Sequence, residues 1–271
     1  MNNTLLPHQE KQDTNFDELA SHFQKRIYGS RKGKIRLAVL QRDLLEQIPE
    51  LKKGGLEILD IGGGLAQMGL YCASFDNHVT INDLSKSMLD MGKLEAKKQG
   101  LMDDMTWHHG AYQTLEHKKY DLVLCHAVLE WLAEPTLLLE TLAKFCKDDG
   151  RISLMFYNID ALILHNLIRG NFNKIKNQDF SGMKGGLTPL NPVSPAWVEE
   201  TLKNNGLDVF YKSGIRVFSD YVGIKHGGNE KDVDVLDMEL SFSQQQPYIN
   251  IGRYVHFICK KNQTAHSVVC Q

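Results

Sequence analysis

Between residues 57 and 157, short apolar runs alternate with helical patterns, and this alternation leaves few folds open to the chain. Glu57–Ile61, His78–Ile81, Met105–His108, Tyr120–His126 and Ile152–Tyr157 read as strands. Leu84–Lys98 reads as a helix that Ser85 can cap, and Pro135–Cys146 as a helix closed by Asp148-Asp149-Gly150. Strands separated by whole helices pair in parallel through right-handed crossovers, and helices then cover both faces of the sheet. Tyr120–His126 is apolar enough for a central strand buried on both sides. The fold class expected is α/β, with a doubly wound and mostly parallel sheet.

The flanks extend this plan. Phe16, Leu19, Ala20, Phe23 and Ile27 recur at helical spacing and predict a helix over Asn15–Tyr28. Residues 29–34 read as a loop, and a second helix is expected from Ile35 to about Ile48. After the fifth strand come a helix at Ala161–Ile168, an exposed loop over 170–193 and a helix at Pro195–Asn204. Leu207–Tyr211 and Tyr248–Cys259 read as two further strands, with a helical stretch at Val233–Phe242 between them. The domain reading is one domain over 15–260, a polar extension over 1–14 and a tail over 261–271.

With 271 residues, 42% of them hydrophobic, the chain can bury a large core. Its net charge of −2 excludes a protein that coats nucleic acid through its global field, so any such contact must be a local patch. The five cysteines form no CxxC pair and no Cys/His cluster, which predicts reduced thiols and no metal. Residues 1–14 lack a basic segment followed by an apolar one, and no apolar run is long enough to span a bilayer. The expected location is cytoplasmic, away from membranes.

Asp60-Ile61-Gly62-Gly63-Gly64-Leu65-Ala66 follows the first strand and opens a helix. Glycines there let the backbone turn sharply against a ligand, and the helix start offers free N–H groups to an anion. A plain strand-to-helix turn would also want glycine. Asp83, at the end of the second strand, suits the two hydroxyls of a ribose, although it could equally cap the following helix. A nicotinamide site wants G-x-G-x-x-G, and the third glycine would fall on Gln67.

The glycine run instead resembles the first motif of class I methyltransferases, with Ala66 in place of the last glycine. Asp83-Leu84-Ser85-Lys86-Ser87-Met88-Leu89 is similar to their second motif. The resemblance implies S-adenosyl-L-methionine as cofactor, a seven-stranded Rossmann-like sheet with an antiparallel last strand, and N-terminal helices folded over the ligand. Cofactor residues implied are Asp60, Gly62, Gly63, Gly64, Asp83 and Leu84, with Ala111 and Tyr112 at the adenine and His126 on the pocket floor. Arg36, otherwise readable as part of a solvated basic turn, would pair with the methionyl carboxylate.

Further segments narrow the resemblance. His126-Ala127-Val128-Leu129-Glu130-Trp131, Ser153-Leu154-Met155-Phe156-Tyr157-Asn158, Gly214–Phe218, Asp220-Tyr221 and Tyr248–Tyr254 together resemble the family of bacterial tRNA 5-carboxymethoxyuridine methyltransferases, from about Asn15 to Lys260. This implies methyl transfer to the carboxylate of 5-carboxymethoxyuridine at the tRNA wobble position, giving the methyl ester. A carboxylate is already an anion at neutral pH and needs no general base; no His–Asp pair stands out in the sequence to act as one. Tyr157 and Asn158 fall at the ligand-bearing end of the fifth strand, and Arg216, Arg253 and Tyr254 are expected at the same mouth to hold the carboxylate.

Each of these residues also has a plainer reading. Tyr157 and Tyr254 suit edge aromatics of the core and Arg216 a surface strand, while Trp131 and His165 read better as structural residues than as substrate contacts. Two basic patches suit the phosphates of a tRNA anticodon stem-loop or are ordinary solvated charge. One holds Lys25, Arg26, Arg31, Lys32, Lys34 and Arg36, the other Arg169, Lys174, Lys176 and Lys184. A methyltransferase of small phenols or carboxylates, and a non-catalytic S-adenosylmethionine-binding protein, remain as alternatives at this point.

Overall fold

Seven strands are hydrogen-bonded in the order β3-β2-β1-β4-β5-β7-β6. They are β1 (Glu57–Ile61), β2 (His78–Asp83), β3 (Met105–His109), β4 (Tyr120–His126), β5 (Cys146–Tyr157), β6 (Leu207–Ile215) and β7 (Tyr254–Lys261). β1 to β5 pair in parallel, whereas β7 runs antiparallel to both β5 and β6. This computed structural model describes Asp17, residues 29–179, Pro189, and residues 191–222 and 231–262. The helix expected over Asn15–Tyr28 lies, apart from Asp17, outside the described residues, as do Lys25, Arg26 and Lys184.

The helices among the described residues are α1 (Arg31–Gln47), α2 (Gln67–Ala73), α3 (Lys86–Gln99), α4 (Pro135–Phe145), α5 (Ile159–Ile168), α6 (Phe172–Lys176), α7 (Pro195–Asn204), α8 (Asp232–Phe242) and α9 (Tyr248–Ile251). α4 and α7 pack on one face of the sheet through Leu138, Leu142, Val198 and Leu202. α1, α2, α3 and α8 cover the other. Ile35, Val39, Leu40 and Leu44 recur along one side of α1 and are fully buried. Burial of each stabilises the fold by roughly 1.5–3 kcal/mol. None of these helices is long and apolar enough to cross a membrane.

Among the boundaries that differ from the sequence expectation, three have a visible physical reason or consequence. α1 starts at Arg31, not Ile35, with Ser30 accepting the Gly33 N–H at 3.2 Å. Its first turn carries Arg31, Lys32 and Lys34 against the helix dipole. Remote acids offset this: Arg31 pairs with Asp232 at 2.6 Å, Lys34 with Asp232 at 3.8 Å and Lys32 with Asp220 at 3.3 Å. β5 begins at Cys146 rather than Ile152, because the register jumps from Tyr120↔Cys146 to Leu122↔Arg151 and the intervening residues bulge out. Tyr248–Ile251, expected at the start of the last strand, is a single helical turn that precedes β7.

Candidate active site

The carboxyl ends of β1, β2 and β4 open into a cleft with about 1080 Å³ of empty space including its mouth. Arg36, Asp60, Gly62, Gly63, Gly64, Asp83, Leu84, Ala111, Tyr112 and His126 all line it. At the end of β1 the backbone turns through Gly62 and Gly64 with φ of 65° and 56°. A Cβ on Gly62 would stand 2.5 Å from Val128 Cγ2, so the turn can pass there only without a side chain. Ala66, which replaces the last glycine of the motif, also adopts a left-handed conformation, with φ 59° and ψ 26°. It keeps the geometry of a glycine at a modest steric cost.

Asp83 ties the turn to the next strand. Its Oδ2 accepts the Gly64 N–H at 2.8 Å and its Oδ1 the Ser85 N–H at 2.8 Å. Each oxygen keeps a lone pair for a ligand hydroxyl. Burial raises this carboxyl; the two N–H bonds oppose the rise. Asp60 lies beneath the turn, and burial together with the Asp83 charge pushes it up to about 7. Around the far wall, Asn82 Nδ2 donates to the Gly110 carbonyl at 2.8 Å and so fixes the strip carrying Ala111 and Tyr112. Burial holds the His126 imidazole well below its ordinary value, so it is neutral.

S-adenosylmethionine fits this surface. The glycine cradle admits a close backbone approach, Asp83 offers acceptors for two hydroxyls, and Asp60 offers a carboxylate toward an ammonium. Arg36, on α1, offers a cation toward a carboxylate. Among the described residues no three His, Cys, Asp or Glu side chains are gathered to hold a metal ion.

Next to the cleft, on the same edge of the sheet, the residues just beyond β5 and β6 and before β7 form a second cluster. Asp220 binds Arg216 through Nε at 3.1 Å and through Nη2, and Arg253 Nε at 2.9 Å. Burial alone would raise the Asp220 carboxyl, but Arg216 and Arg253 hold it well below the usual carboxylate range. Arg253 Nη1 donates to the Tyr157 hydroxyl at 3.0 Å. Tyr157 and Tyr254 meet edge to face at 5.4 Å between ring centroids, with the Arg216 guanidinium 5.7 Å over Tyr254. Lys32 adds a third cation, so three positive groups surround one carboxylate and leave an excess of positive charge.

Asn158 stands in this region but has a different task. Its Nδ2 donates to the Asn250 and Gly252 carbonyls at 2.9 and 3.0 Å, while its Oδ1 caps α5 at the Asp160 N–H. Both N–H donors are spent on backbone, so none is left to hold a substrate carboxylate; the sequence expectation for Asn158 is corrected to a brace between β5 and the start of β7. Arg169 donates to His165 at 3.2 Å, at the end of α5. Lys174 and Lys176 lie exposed on α6 within the stretch expected to be a loop.

Over 260 residues the chain is 38% identical to the tRNA 5-carboxymethoxyuridine methyltransferase of Escherichia coli, a match that covers 95% of this chain and 100% of that one. It belongs to the tRNA 5-carboxymethoxyuridine methyltransferase family. Residues 59–154 match the methyltransferase domain family, a span that holds the glycine turn, Asp83 and His126. Among solved structures, the magnesium protoporphyrin IX methyltransferase of Synechocystis, solved with S-adenosylhomocysteine bound, aligns with a TM-score of 0.62. The match has 16% identity and covers 91% of this chain and 96% of that one. The cyclase SpnF aligns with a TM-score of 0.53 at 13% identity, covering 94% of this chain and 99% of that one. Both likenesses show the fold alone.

Sequence reading misplaced or passed over several residues of this methyltransferase. Trp131 lines the cleft rather than filling the core. Glu130 is fully buried, and neither carboxyl oxygen has a hydrogen-bond partner among the described residues. Burial raises it to about 7, with the nearby Glu130 and Tyr157 N–H groups and Arg36 pulling the other way. A His–Asp pair does exist: His256 Nδ1 meets Asp43 Oδ2 at 2.8 Å. Both are fully buried away from solvent, which rules the pair out as a base for an external substrate. The available signal was a polar residue inside an apolar strand, as at Ser153 and His256.

Proposed function

We propose that this enzyme transfers a methyl group from S-adenosylmethionine to the carboxylate of 5-carboxymethoxyuridine at the wobble position of tRNA, giving the methyl ester. The observation that carries this reading is the placement of a cationic cluster, Arg216, Arg253 and Lys32 around Asp220, beside a cleft that fits the cofactor. A surplus of two positive charges next to a methyl donor suits an anionic acceptor. Kinship over the whole chain with a tRNA 5-carboxymethoxyuridine methyltransferase supports the same substrate.

When bound, the cofactor would supply an electrophilic methyl on a sulfonium: a carboxylate oxygen would lend the pair for the new C–O bond, and sulfur would keep the pair of the broken S–C bond. No proton moves, so no general base is required of the protein. Asp83 and the Gly62–Gly64 turn would position the cofactor, with Asp60 and Arg36 at its aminoacyl end. Arg253 and the Tyr157 hydroxyl would hold the non-attacking oxygen, since a cation on the attacking oxygen would weaken the nucleophile. Arg216 and Tyr254 close the same wall. The buried surroundings exclude water and strengthen each of these contacts. Because the anticodon loop is single-stranded, the wobble base can splay toward the cluster. A tRNA substrate also suits an enzyme of the cytoplasm.

Mass spectrometry of tRNA nucleosides from cells with and without this protein tests the proposal. Loss of the methyl-ester nucleoside with accumulation of the free acid is expected. An unchanged nucleoside profile would overturn it.

A further inference from the structure

A row of four polar side chains crosses the otherwise apolar layer between α1 and the sheet. His256 Nδ1 lies 2.8 Å from Asp43 Oδ2, and His256 Nε2 lies 2.8 Å from Ser153 Oγ. Ser153 Oγ lies 2.8 Å from His126 Nε2. Asp43, Ser153 and His256 are fully buried. The row ends at His126, which forms part of the cleft wall; its Nδ1 lies buried just behind that wall and has no hydrogen-bond partner among the described residues. Apolar residues of similar size would satisfy this layer at no loss of stability. A complete polar chain that leaves one unpaired nitrogen beside a ligand cleft points to the ligand.

Proton counting fixes the polarity of the row. Asp43 is matched by Arg42 and also accepts the hydroxyls of Tyr211 and Ser213. It therefore takes the His256 Nδ1–H as a further donor. With the Nδ1–H given to Asp43, the Nε2 of His256 is the acceptor for the Ser153 O–H. Ser153 Oγ must then accept from His126, whose Nε2 carries the ring proton. The Nδ1 of His126 is left as a bare lone pair.

The position of the His126 ring beside the cleft follows from strand order. Ala111 lies after β3, Asp83 ends β2, the glycine turn ends β1, and His126 ends β4. A nucleoside with its ribose at Asp83 and its base toward Ala111 has its aminoacyl and sulfur half against His126. Resting on the cofactor assignment above, we propose that the Asp43–His256–Ser153 row sets His126 as the Nε2–H tautomer. The bare Nδ1 then attracts the sulfonium end of S-adenosylmethionine and releases the neutral S-adenosylhomocysteine. Asp43, His256 and Ser153 are positioning residues; His126 is the group that meets the cofactor.

Calorimetry with each of the two ligands on the full-length protein tests this. Ser153→Ala breaks the row with a minimal change of volume. It should weaken S-adenosylmethionine about 3- to 10-fold more than S-adenosylhomocysteine, the scale of one hydrogen bond. Ser153→Thr keeps the hydroxyl and should restore the wild-type ratio. Equal weakening of both ligands, or no change in their ratio, would overturn the proposal. If the wild-type protein bound neither ligand, the cofactor assignment itself would fail instead. Should Ser153→Ala not fold, nitrogen-15 NMR of the wild type, with His126→Phe for assignment, gives a second reading. The Nε2–H tautomer is expected, and an Nδ1–H tautomer would sink the idea.

Discussion

The Asp83 carboxylate accepts the backbone N–H of Gly64 at 2.8 Å, so the acid at the end of β2 and the glycine turn at the end of β1 are one unit. Removing the carboxylate takes away acceptors for a ribose and also releases the turn that frames the aminoacyl end. Asp83→Ala is therefore expected to weaken S-adenosylmethionine by about 1.5–3 kcal/mol, the range for hydrogen bonds to charged groups. Isothermal titration calorimetry measures this. An affinity equal to that of the wild type would remove Asp83 from the cofactor site.

Asp60 makes stability and binding depend on pH in a defined direction. Burial and then the Asp83 charge raise its carboxyl from 3.8 to about 7 in the folded protein. Between those two values the folded state keeps a proton that the unfolded chain has lost. Stability from this group is therefore highest below pH 4, falls as pH rises toward 7 and levels off above it. The loss is up to roughly 4 kcal/mol. Urea titrations of wild type and Asp60→Asn at several pH values should show the variant gaining relative stability across that window. A constant difference would mean that Asp60 ionises normally. S-adenosylmethionine, whose ammonium favours the ionised form, should bind the wild type more tightly as pH passes through 7, and this gain should vanish in the variant.

The proposed function puts Arg216 on the acceptor side of the site. Replacing it with alanine leaves Asp220 still paired with Arg253 and Lys32, which limits the structural damage. Methyl transfer should fall about 10- to 100-fold, the scale of a charge-assisted contact. Cofactor affinity should stay within a factor of two or so, because Arg216 does not line the cofactor cleft. Steady-state kinetics beside calorimetry separates the two. Parallel loss of both would assign Arg216 a structural role. The left-handed backbone at this residue, with φ 60°, makes Arg216→Gly a useful second variant without backbone strain.

What could be read from the sequence follows the distance over which each feature is built. The glycine turn, Asp83 and the strand that precedes each of them are contiguous stretches whose pattern contains their geometry. The start of α1 was hidden because Arg31 is neutralised by Asp232, 201 residues away. The Asp43–His256 pair is separated by 213 residues and declares itself only when α1 lies over β7. Asn158 was placed on the correct edge of the sheet, but position alone does not reveal that backbone carbonyls consume its donors. Tyr248–Ile251 carries aromatic and β-branched residues that favour a strand, yet four residues packed against β6 form a turn of helix instead.

We propose the α5–α6 hairpin as a contact surface for the RNA loop. Leu167, Ile168 and Phe172 are 47%, 60% and 55% exposed, and Arg169, Lys174 and Lys176 stand exposed among them. Apolar and aromatic surface interleaved with cations matches unpaired bases with their phosphates. Phe172→Ala should weaken tRNA binding by about 1–3 kcal/mol if a base stacks on the ring. Joint replacement of Lys174 and Lys176 by alanine should flatten the dependence of log K on log salt, by about 0.7 for each single-strand phosphate that is no longer neutralised. Both variants should bind S-adenosylmethionine as the wild type does. Filter binding of tRNA over a salt series measures both effects, and a slope and affinity matching the wild type would exclude the hairpin from the RNA footprint.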